Sequence, residues 1–319
     1  MAGYQMPFGK VTTAPTPKER GPAKISSVDP SAPPPKTVFR PNPEEEARLS
    51  RQAILLQGLW GVGKTTAVCT MPKPLLIDMF DPSGLQVILQ NFREEYDQGL
   101  IQVRLWYDDD TKEPYAYLNW EKQFAQDVAY GTFKNYASYC VDSFTTWYGA
   151  AARYWLWYKN QQRKSGEKMD HFAINDYNGL YTLIDDLIFK VARFDTHFIV
   201  TAHLQEVTSD KGGFIGYSLN APGKKGQQLP SLFSEKLCMI RTKTPSGSEH
   251  MILTSDKGYY KASTQLGSHG RWEQQEKPNF RELFKKAGIP YQDKPLYWLE
   301  EEKEEEPNEV KATKETPKE

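Results

Sequence analysis

One short motif constrains the fold of this chain more than any other feature. Residues Gly58–Thr65, read as Gly-Leu-Trp-Gly-Val-Gly-Lys-Thr, fit the pattern G-x-x-x-x-G-K-[ST]. The glycines allow a tight turn that points backbone N–H groups at phosphate oxygens, and a following helix adds the positive end of its dipole. The apolar run Ala53–Leu56 precedes the motif, and a helical pattern begins at Lys64. This strand–loop–helix context predicts a phosphate-binding loop.

The residues of the loop have different expected tasks. The predicted nucleotide contacts are Gly58, Gly61, Val62, Gly63, Lys64, Thr65 and Thr66. Lys64 is expected to reach the β- and γ-phosphates of ATP, and the Thr65 hydroxyl is expected to bind Mg²⁺. Trp60 is unusual within such a loop. It could stack on a base, but we favour outward packing.

A second acidic site follows the apolar strand pattern Tyr139–Val141. In P-loop folds, a strand beside the strand of the loop delivers an Asp that holds the magnesium hydration shell. Asp142 stands at the end of this pattern and is predicted to take that role, as a metal-supporting and catalytic residue. Because Asp142 also precedes the predicted helix Phe144–Lys159, a helix cap is the alternative interpretation.

Hydrolysis further requires a group that orients or deprotonates the attacking water. Asp78 and Asp81 follow the second predicted strand and are candidates, although Asp81 precedes a proline and could instead stabilise a turn. His203 and Gln205 follow the predicted strand Phe198–Thr201. Ligands of α/β sheets bind at the carboxyl ends of strands, so we predict that His203 senses the γ-phosphate.

Strands and helices alternate over residues 44–298, which we predict to form one domain. The predicted strands are Ala53–Leu56, Leu75–Ile77, Ile101–Tyr107, Tyr139–Val141 and Phe198–Thr201. One helix is predicted to start at Lys64. Four others are predicted to span Trp120–Ala129, Phe144–Lys159, Tyr177–Arg193 and Phe280–Ala287. This alternation is typical of an α/β fold with a mainly parallel sheet flanked by helices. Later strands without intervening helices, Leu237–Ile240, Met251–Leu253 and Tyr259–Lys261, predict added antiparallel strands near the C-terminus.

The two ends of the chain differ from the middle in composition. Residues 1–43 are poor in aliphatic side chains and rich in proline, which predicts a disordered tail. Glu300–Glu319 contains nine acidic and four basic residues. A run of like charge is usually solvated, so residues 299–319 are predicted to form a second, acidic tail.

Overall composition excludes several classes of protein. The formal net charge is −1, so any surface that binds nucleic acid must be local. The three cysteines, Cys69, Cys140 and Cys238, are far apart, which argues against a disulfide framework or a zinc site and predicts buried thiols. No apolar run approaches the roughly 18 residues of a membrane helix, and residues 1–10 lack a signal-peptide core. A cytoplasmic protein with no membrane partner is expected.

The strand ends and the loop together resemble a known family. The loop Gly58–Thr65, the strand ends Ile77–Asp78 and Val141–Ser143, and the strand Thr196–His203 resemble the RecA-type ATPase core. They are most similar to the short phage-encoded AAA-type ATPases of single-strand annealing and recombination, over roughly Gln52–Ile289. The resemblance implies a RecA-like P-loop NTPase that hydrolyses ATP with Mg²⁺, binds single-stranded DNA and assembles into homo-oligomeric rings or filaments. A single-strand-binding protein is a further expected partner, and a phage-encoded protein would act in the bacterial cytoplasm.

Carried onto this sequence, the resemblance places Asp142 at the metal position and His203 at the sensor position. The chain departs from the family at Phe80. RecA-type proteins usually carry a catalytic Glu there, two residues after the Asp of the second strand. Asp81, the next residue, is the candidate substitute for that carboxylate, and turnover could be slow.

The resemblance also implies where DNA and a neighbouring subunit would bind. RecA-type proteins bind DNA through loops that follow the sheet strands, which here means Glu206–Gln228. The predicted DNA contacts are Lys211, Lys224 and Lys225, which stand beside glycines. Lys257 and Lys261 are predicted to reach the ATP of a neighbouring subunit. In both cases ordinary surface lysines are the alternative.

Other P-loop classes remain as alternatives to the recombination protein. A small-molecule or nucleotide kinase should place several arginines over the phosphates, but the arginines after Asp142 do not cluster in sequence. A GTPase is disfavoured because no Asn-Lys-x-Asp motif is present. A non-hydrolysing nucleotide-binding assembly protein stays open because of Phe80, and a helicase motor shares the same core.

Overall fold

We analysed a computed structural model of the chain. It describes residues 51–81, 83–108, 112–164, 169, 171–172, 176–191, 194–221, 228–244 and 247–296. The two predicted tails, residues 1–43 and 299–319, lie outside the described residues, so their predicted disorder stays a prediction.

A ten-stranded sheet is assembled from the strands of the described residues. They are β1 Ala53–Gly58, β2 Leu75–Met79, β3 Ile101–Leu105, β4 Ser138–Asp142, β5 His197–Thr208, β6 Phe214–Leu219, β7 Glu235–Thr244, β8 Gly247–Leu253, β9 Ser263–Thr264 and β10 Gln275–Glu276. The order is β10-β8-β7-β1-β5-β4-β2-β3, with β6 paired to β5 and β9 to β7. The run from β7 to β3 is parallel, which confirms the predicted α/β class with a mainly parallel sheet.

Helices cover both faces of this sheet. The α-helices are α1 Lys64–Val68, α2 Gly84–Asn91, α3 Arg93–Asp97, α4 Ala116–Tyr130, α5 Phe144–Gln161, α6 Asp176–Val191 and α7 Phe280–Ala287. Short 3₁₀ turns span Thr132–Asn135, Leu229–Leu232 and Ser268–Gly270. Helix α7 ends at Ala287, and Gly288, with a φ of 74°, forms its left-handed C-cap. Among the described residues, none of the helices combines the length and the apolar composition that a membrane span requires.

The central strands are apolar on both sides because each of their faces is covered. Leu55 and Val200 point into a cluster with α4, α5 and α6, whereas Ile54 and Ile199 point into a second cluster with α1, α2 and α7. Alternating side chains of a strand face opposite sides, so a strand buried on both faces reads as a continuous apolar run. The three cysteines are buried and unpaired, as predicted.

The predicted antiparallel strands near the C-terminus are confirmed, because β7, which contains Leu237–Ile240, pairs antiparallel with β8 and β9, although it pairs parallel with β1. Two other predictions about the second half of the chain are wrong. Tyr259–Lys261 is not a strand, because Lys257 and Tyr260 close a turn with two backbone hydrogen bonds of 3.1 Å. The expected loop Glu206–Gln228 begins instead as the β5–β6 hairpin, whose strands pair from Leu204 to Leu219.

The strand that carries Asp142 is also placed differently from the prediction. Strand β4 does not lie beside β1, because β5 is inserted between them and pairs with both. Asp142 still lies at the same edge of the sheet as the phosphate-binding loop, since the three strands are parallel and both β1 and β4 end beside residues Thr201–His203 of β5. Strand order depends on the crossovers between strands, which the local sequence pattern does not encode.

Candidate nucleotide-binding site

The loop between β1 and α1 has the backbone shape that its glycines permit. Gly61 and Gly63 adopt left-handed conformations with φ of 68° and 85°, which side chains with a Cβ rarely tolerate. Gly58 is needed for a different reason. A Cβ atom there would lie 2.7 Å from the Met239 carbonyl oxygen and 2.9 Å from a Val62 methyl group. The loop therefore packs directly on β7.

Lys64 extends back over the loop that precedes it. Its ammonium group donates to the carbonyl oxygens of Gly58 at 3.0 Å and Leu59 at 2.8 Å, and it lies 3.2 Å from Nδ1 of His203. Burial lowers the pKa of Lys64 to about 8, against the opposing effect of the Asp142 carboxylate. A negatively charged phosphate at this position would favour the charged form of the lysine.

Asp142 and Thr65 meet at the base of the loop. The Thr65 hydroxyl donates to Oδ2 of Asp142 at 2.8 Å, and the Thr201 hydroxyl donates to Oδ1 of the same carboxylate. Burial raises the pKa of Asp142, whereas the two hydroxyl donors and the nearby Lys64 lower it. The helix-cap alternative does not describe this site, because the residue that caps α5 is Ser143.

Thr65 and Asp142 fit a magnesium site by the chemistry of their donor atoms. A hydroxyl and a carboxylate are hard oxygen ligands, and in nucleotide sites Mg²⁺ takes its other ligands from phosphates and water. Within the described parts of the chain, no group of three or more His, Cys, Asp or Glu side chains could hold a metal ion. A bound Mg²⁺ would neutralise charge on the phosphates, and Thr65 and Asp142 would hold it.

His203 and Trp60 form a stacked pair above Lys64. Their ring centroids are 3.7 Å apart and the ring planes differ by 13°. His203 is buried, and burial together with the positive charge of Lys64 lowers its pKa to about 4, so the imidazole is neutral at neutral pH. Trp60 remains 63% exposed. Trp60 was expected to pack outward. In the structure one face of its ring packs on His203, and most of the side chain is exposed.

The carboxylates after β2 have two different surroundings. Asp78 is fully buried, and it accepts two hydrogen bonds from Arg104 at 2.7 and 2.8 Å, so it does not reach the phosphate-binding loop. Its candidacy as a catalytic carboxylate is wrong. Asp81 lines the same pocket as Lys64, although its Oδ1 also accepts from the backbone and hydroxyl of Ser83, as the turn alternative expects. Phe80, at the position of the family's Glu, is buried in the core.

The predicted loop residues converge on one pocket of about 340 Å³. It is lined by Trp60, Gly61, Val62, Gly63, Lys64, Thr65, Thr66, Asp81, Ser83, Gly84, Val87, Asn91, Asp142, His203 and His250. All the predicted catalytic side chains, Lys64, Asp81, Asp142 and His203, are among them. Gly58 contributes from below the loop through its carbonyl oxygen. Gln205 is exposed and is not part of this lining.

Sequence reasoning missed the groups that support the loop from β5, β7 and β8. Nδ1 of His250 lies 2.7 Å from the Val62 carbonyl oxygen, and Arg241 donates to the Gly61 carbonyl oxygen at 3.4 Å. Neither residue follows a recognisable motif, because the contacts depend on the β7–β8 hairpin folding beside β1. Thr201 did carry a signal, since it is a polar residue inside an otherwise apolar strand.

Among the predicted DNA and trans-acting lysines, the three that the structure describes do not line this pocket. Lys211 is exposed at the turn of the β5–β6 hairpin, whereas Lys224 and Lys225 lie outside the described residues. Lys257 is exposed in the turn after β8, and the Lys261 ammonium pairs with Asp256 at 2.9 Å. The structure thus places Lys211, Lys257 and Lys261 on the surface and leaves their predicted roles as predictions.

Comparison with known proteins identifies the family of the core. The AAA domain family AAA_24 matches residues 50–264. No curated protein matches the sequence. Among solved structures, the KaiC-like protein from the archaeon Pyrococcus horikoshii OT3 aligns at 12% identity and a TM-score of 0.38, over 63% of this chain and 77% of that one. The flagellar accessory protein FlaH from Methanocaldococcus jannaschii aligns at 10% identity and a TM-score of 0.39, over 75% and 91%. Because the family match spans more than half of the sequence and contains the whole loop, the chain belongs to the AAA domain family.

Proposed function

We propose that this protein binds and hydrolyses ATP with Mg²⁺ and acts on single-stranded DNA, in recombination or strand annealing, as an oligomer. One observation carries the nucleotide part. The Thr65 hydroxyl lies 2.8 Å from the Asp142 carboxylate in the pocket that also holds Lys64. A loop that binds phosphate, a hydroxyl and a carboxylate for Mg²⁺, and a cation for the γ-phosphate are the parts that phosphoryl transfer requires.

Hydrolysis needs one more group, and the pocket offers two. Asp81 could orient the attacking water, and His203 could donate a hydrogen bond to it or to the γ-phosphate. Buried Phe80 at the family's Glu position favours a second candidate function, a nucleotide-binding assembly protein with negligible turnover. Among the described residues that line the pocket, none is an arginine, which gives a kinase less support.

The β5–β6 hairpin supports the DNA part of the proposal. Phe214 is 43% exposed and Tyr259 is 57% exposed, and their rings meet edge to face at 4.8 Å. Tyr217 and Tyr260 stack beside them at 4.8 Å. Lys211 lies at the tip of the same hairpin. Exposed aromatic rings next to lysines suit single strands, because bases stack on rings and lysines neutralise phosphates.

The first experiment measures ATP turnover with and without single-stranded DNA, for the wild type and Lys64→Ala. Turnover that DNA stimulates and Lys64→Ala abolishes supports the proposal. Lys285→Ala, a change at an exposed lysine of α7, should behave as the wild type. ATP binding without turnover favours the assembly protein, and turnover indifferent to DNA contradicts the DNA role.

A second experiment tests the aromatic surface directly. Tyr259→Ala and Phe214→Ala should each weaken binding of a fluorescent oligodeoxythymidine, because stacking contributes about 1–3 kcal/mol per base. Tyr130→Ala removes an aromatic ring that is 85% exposed on α4 and serves as the matched control. Equal affinity of all three variants and the wild type for the oligonucleotide would exclude this hairpin as the DNA-binding surface.

A further inference from the structure

His203 has a hydrogen-bond donor that lacks an acceptor. The Lys64 ammonium can only donate, so Nδ1 of His203, 3.2 Å away, must accept. Because the imidazole is neutral, its hydrogen is then on Nε2. Nε2 is buried and has no hydrogen-bond partner among the described residues. Buried polar atoms are nearly always paired, and exceptions often mark functional sites.

The backbone of His203 is fixed from several sides. It pairs in register with Gly58 of β1, its N–H donates to the Thr145 hydroxyl at 3.0 Å, and its carbonyl oxygen accepts from Asn220 at 2.8 Å. The ring faces Lys64 at Nδ1 and stacks on the indole of Trp60 across one face. Trp60 therefore helps to set the orientation of the imidazole.

Trp60 has no evident task in holding phosphate. The loop binds phosphate through backbone N–H groups and Lys64, and most of the indole is exposed. Its ring nevertheless lies nearly parallel to His203 at stacking distance, and both rings line the pocket. A ligand atom in that pocket is the candidate acceptor for Nε2.

We infer that Trp60 is a positioning residue, whose indole holds the His203 imidazole so that its Nε2–H can reach a γ-phosphate oxygen or the attacking water. This inference rests on the proposed function, since it names how one group of that site is oriented. Phosphate binding would also draw the Lys64 ammonium from His203, because an ammonium group has three hydrogens to donate and already has three partners. The Trp60 stack would then still restrain the ring.

The test compares Trp60→Leu, which removes the stack, with Trp60→Phe, which keeps a ring. Trp60→Leu should lower kcat about ten-fold, since misplacing a catalytic group is costly, while the Kd of ATP changes by less than about three-fold, because phosphate binding uses other groups. Trp60→Phe should restore most of kcat. Tyr130→Leu, at an exposed ring that stacks on nothing in the described residues, controls for loss of surface aromatic area.

A spectroscopic measurement separates failure of this inference from failure of the proposed function. Selective ¹⁵N labelling of the five histidines reports which ring nitrogen carries hydrogen, and His203→Gln assigns the signal of His203. The wild type should show hydrogen on Nε2, and Trp60→Leu should show a mixture of tautomers. If the wild type has no turnover, the proposed hydrolysis fails, yet this spectral difference still supports the stack. An unchanged His203 spectrum, or an unchanged kcat of Trp60→Leu when the wild type does turn over ATP, would overturn the inference.

Discussion

Gly58 lies where the end of β1 touches β7, and this contact determines how closely the phosphate-binding loop packs on β7. A Cβ at this position would meet the Met239 carbonyl oxygen at 2.7 Å, and backbone cannot yield as a flexible side chain can. We expect Gly58→Ala to displace the loop, to cost about 1–3 kcal/mol through overpacking, and to weaken ATP binding. Titration with a fluorescent ATP analogue and chemical denaturation would measure both effects.

A glycine without such a contact provides the control. Gly149 lies inside α5, and a Cβ there would meet only the Arg153 guanidinium at 3.6 Å. Because alanine favours helix, Gly149→Ala should stabilise the protein by about 0.5–1 kcal/mol without changing ATP affinity. Wild-type ATP binding by Gly58→Ala would show that the close approach to β7 is not needed.

His197 makes stability depend on pH at the opposite end of β5 from the site. Burial, reinforced by the positive charges of Arg51 and Lys294, lowers the pKa of His197 from 6.5 to about 3. Its Nδ1 accepts from the Gln52 backbone N–H at 3.2 Å. Below pH 6.5 His197 binds a proton in the unfolded chain but stays neutral in the folded chain. The free energy of unfolding therefore decreases as the pH falls towards 3. Between pH 7 and pH 5.5 this histidine alone should cost about 1 kcal/mol.

The measurement is urea denaturation at the two pH values for the wild type and His197→Asn. The Asn side chain can offer an oxygen to Gln52 but does not titrate, so the variant should lose less stability on acidification. His203, whose pKa is also lowered, contributes equally to both proteins and cancels. Identical losses in both proteins would contradict the assignment to His197.

At the scale of elements, one buried carboxylate joins β2, β3, β4 and α4. Asp78 of β2 accepts from Arg104 of β3, Trp120 of α4 and Tyr139 of β4, at 2.7 to 3.0 Å. Asp78→Asn would remove one of the two carboxylates that compensate the charge of Arg104, since Asp127 also accepts from Arg104 at 2.5 Å, and breaking a buried ion pair is costly. We therefore expect Asp78→Asn to lower the free energy of unfolding by about 3 kcal/mol, as measured by chemical denaturation.

A surface pair of the same residue types gives the comparison. Arg93 and Asp97 are bonded at 2.7 Å on α3, with both side chains more than half exposed. Since water and ions screen such pairs, Asp97→Asn should change stability by less than about 0.5 kcal/mol. Equal effects of the two substitutions would mean that the network around Asp78 adds no more than a surface ion pair.

The same scale shows what the sequence can predict and what it cannot. Long apolar or periodic runs predicted β1, β2, β4, α4, α5 and α7 to within a few residues, because burial of one or both faces dictates their composition. Helices α2 and α3 were not predicted, since they are short and their caps lack side-chain hydrogen bonds. Tyr259 and Tyr260 favour strand by propensity, but tertiary packing on the β5–β6 hairpin places them in a turn.

The residues of the candidate site also fall into those that local sequence predicts and those that depend on contacts distant in sequence. Lys64, Thr65 and Asp142 could be predicted because their chemistry depends on a local motif or a strand end. The supports from His250 and Arg241 could not, because they arise from contacts about 180 residues apart in sequence. Asp78 and Asp81 stand three residues apart in one segment, yet one is buried in the core and the other lines the pocket.

At the scale of the whole molecule, β5 links the nucleotide pocket to the candidate DNA surface. His203 lies in the pocket, and the strand continues to Thr208, with a shift in pairing register between Val207 and Thr208, and to the hairpin that carries Phe214. A displacement of His203 on nucleotide binding would therefore be transmitted along one paired strand. This continuity gives a physical route by which DNA could stimulate ATP turnover in the proposed function.

The last prediction concerns the proposed oligomer, in which Lys257 is predicted to reach the ATP of a neighbouring subunit. If each site needs Lys64 from one subunit and Lys257 from the next, Lys64→Ala and Lys257→Ala should each be inactive alone. Mixed in equal amounts, they should recover roughly a quarter of wild-type turnover, the share of interfaces that pair two intact residues in a closed ring. Mixtures of Lys64→Ala with Asp142→Ala should recover nothing, since both changes disable a subunit's own site. An active Lys257→Ala protein, or mixtures that stay inactive, would exclude this lysine from the neighbour's site.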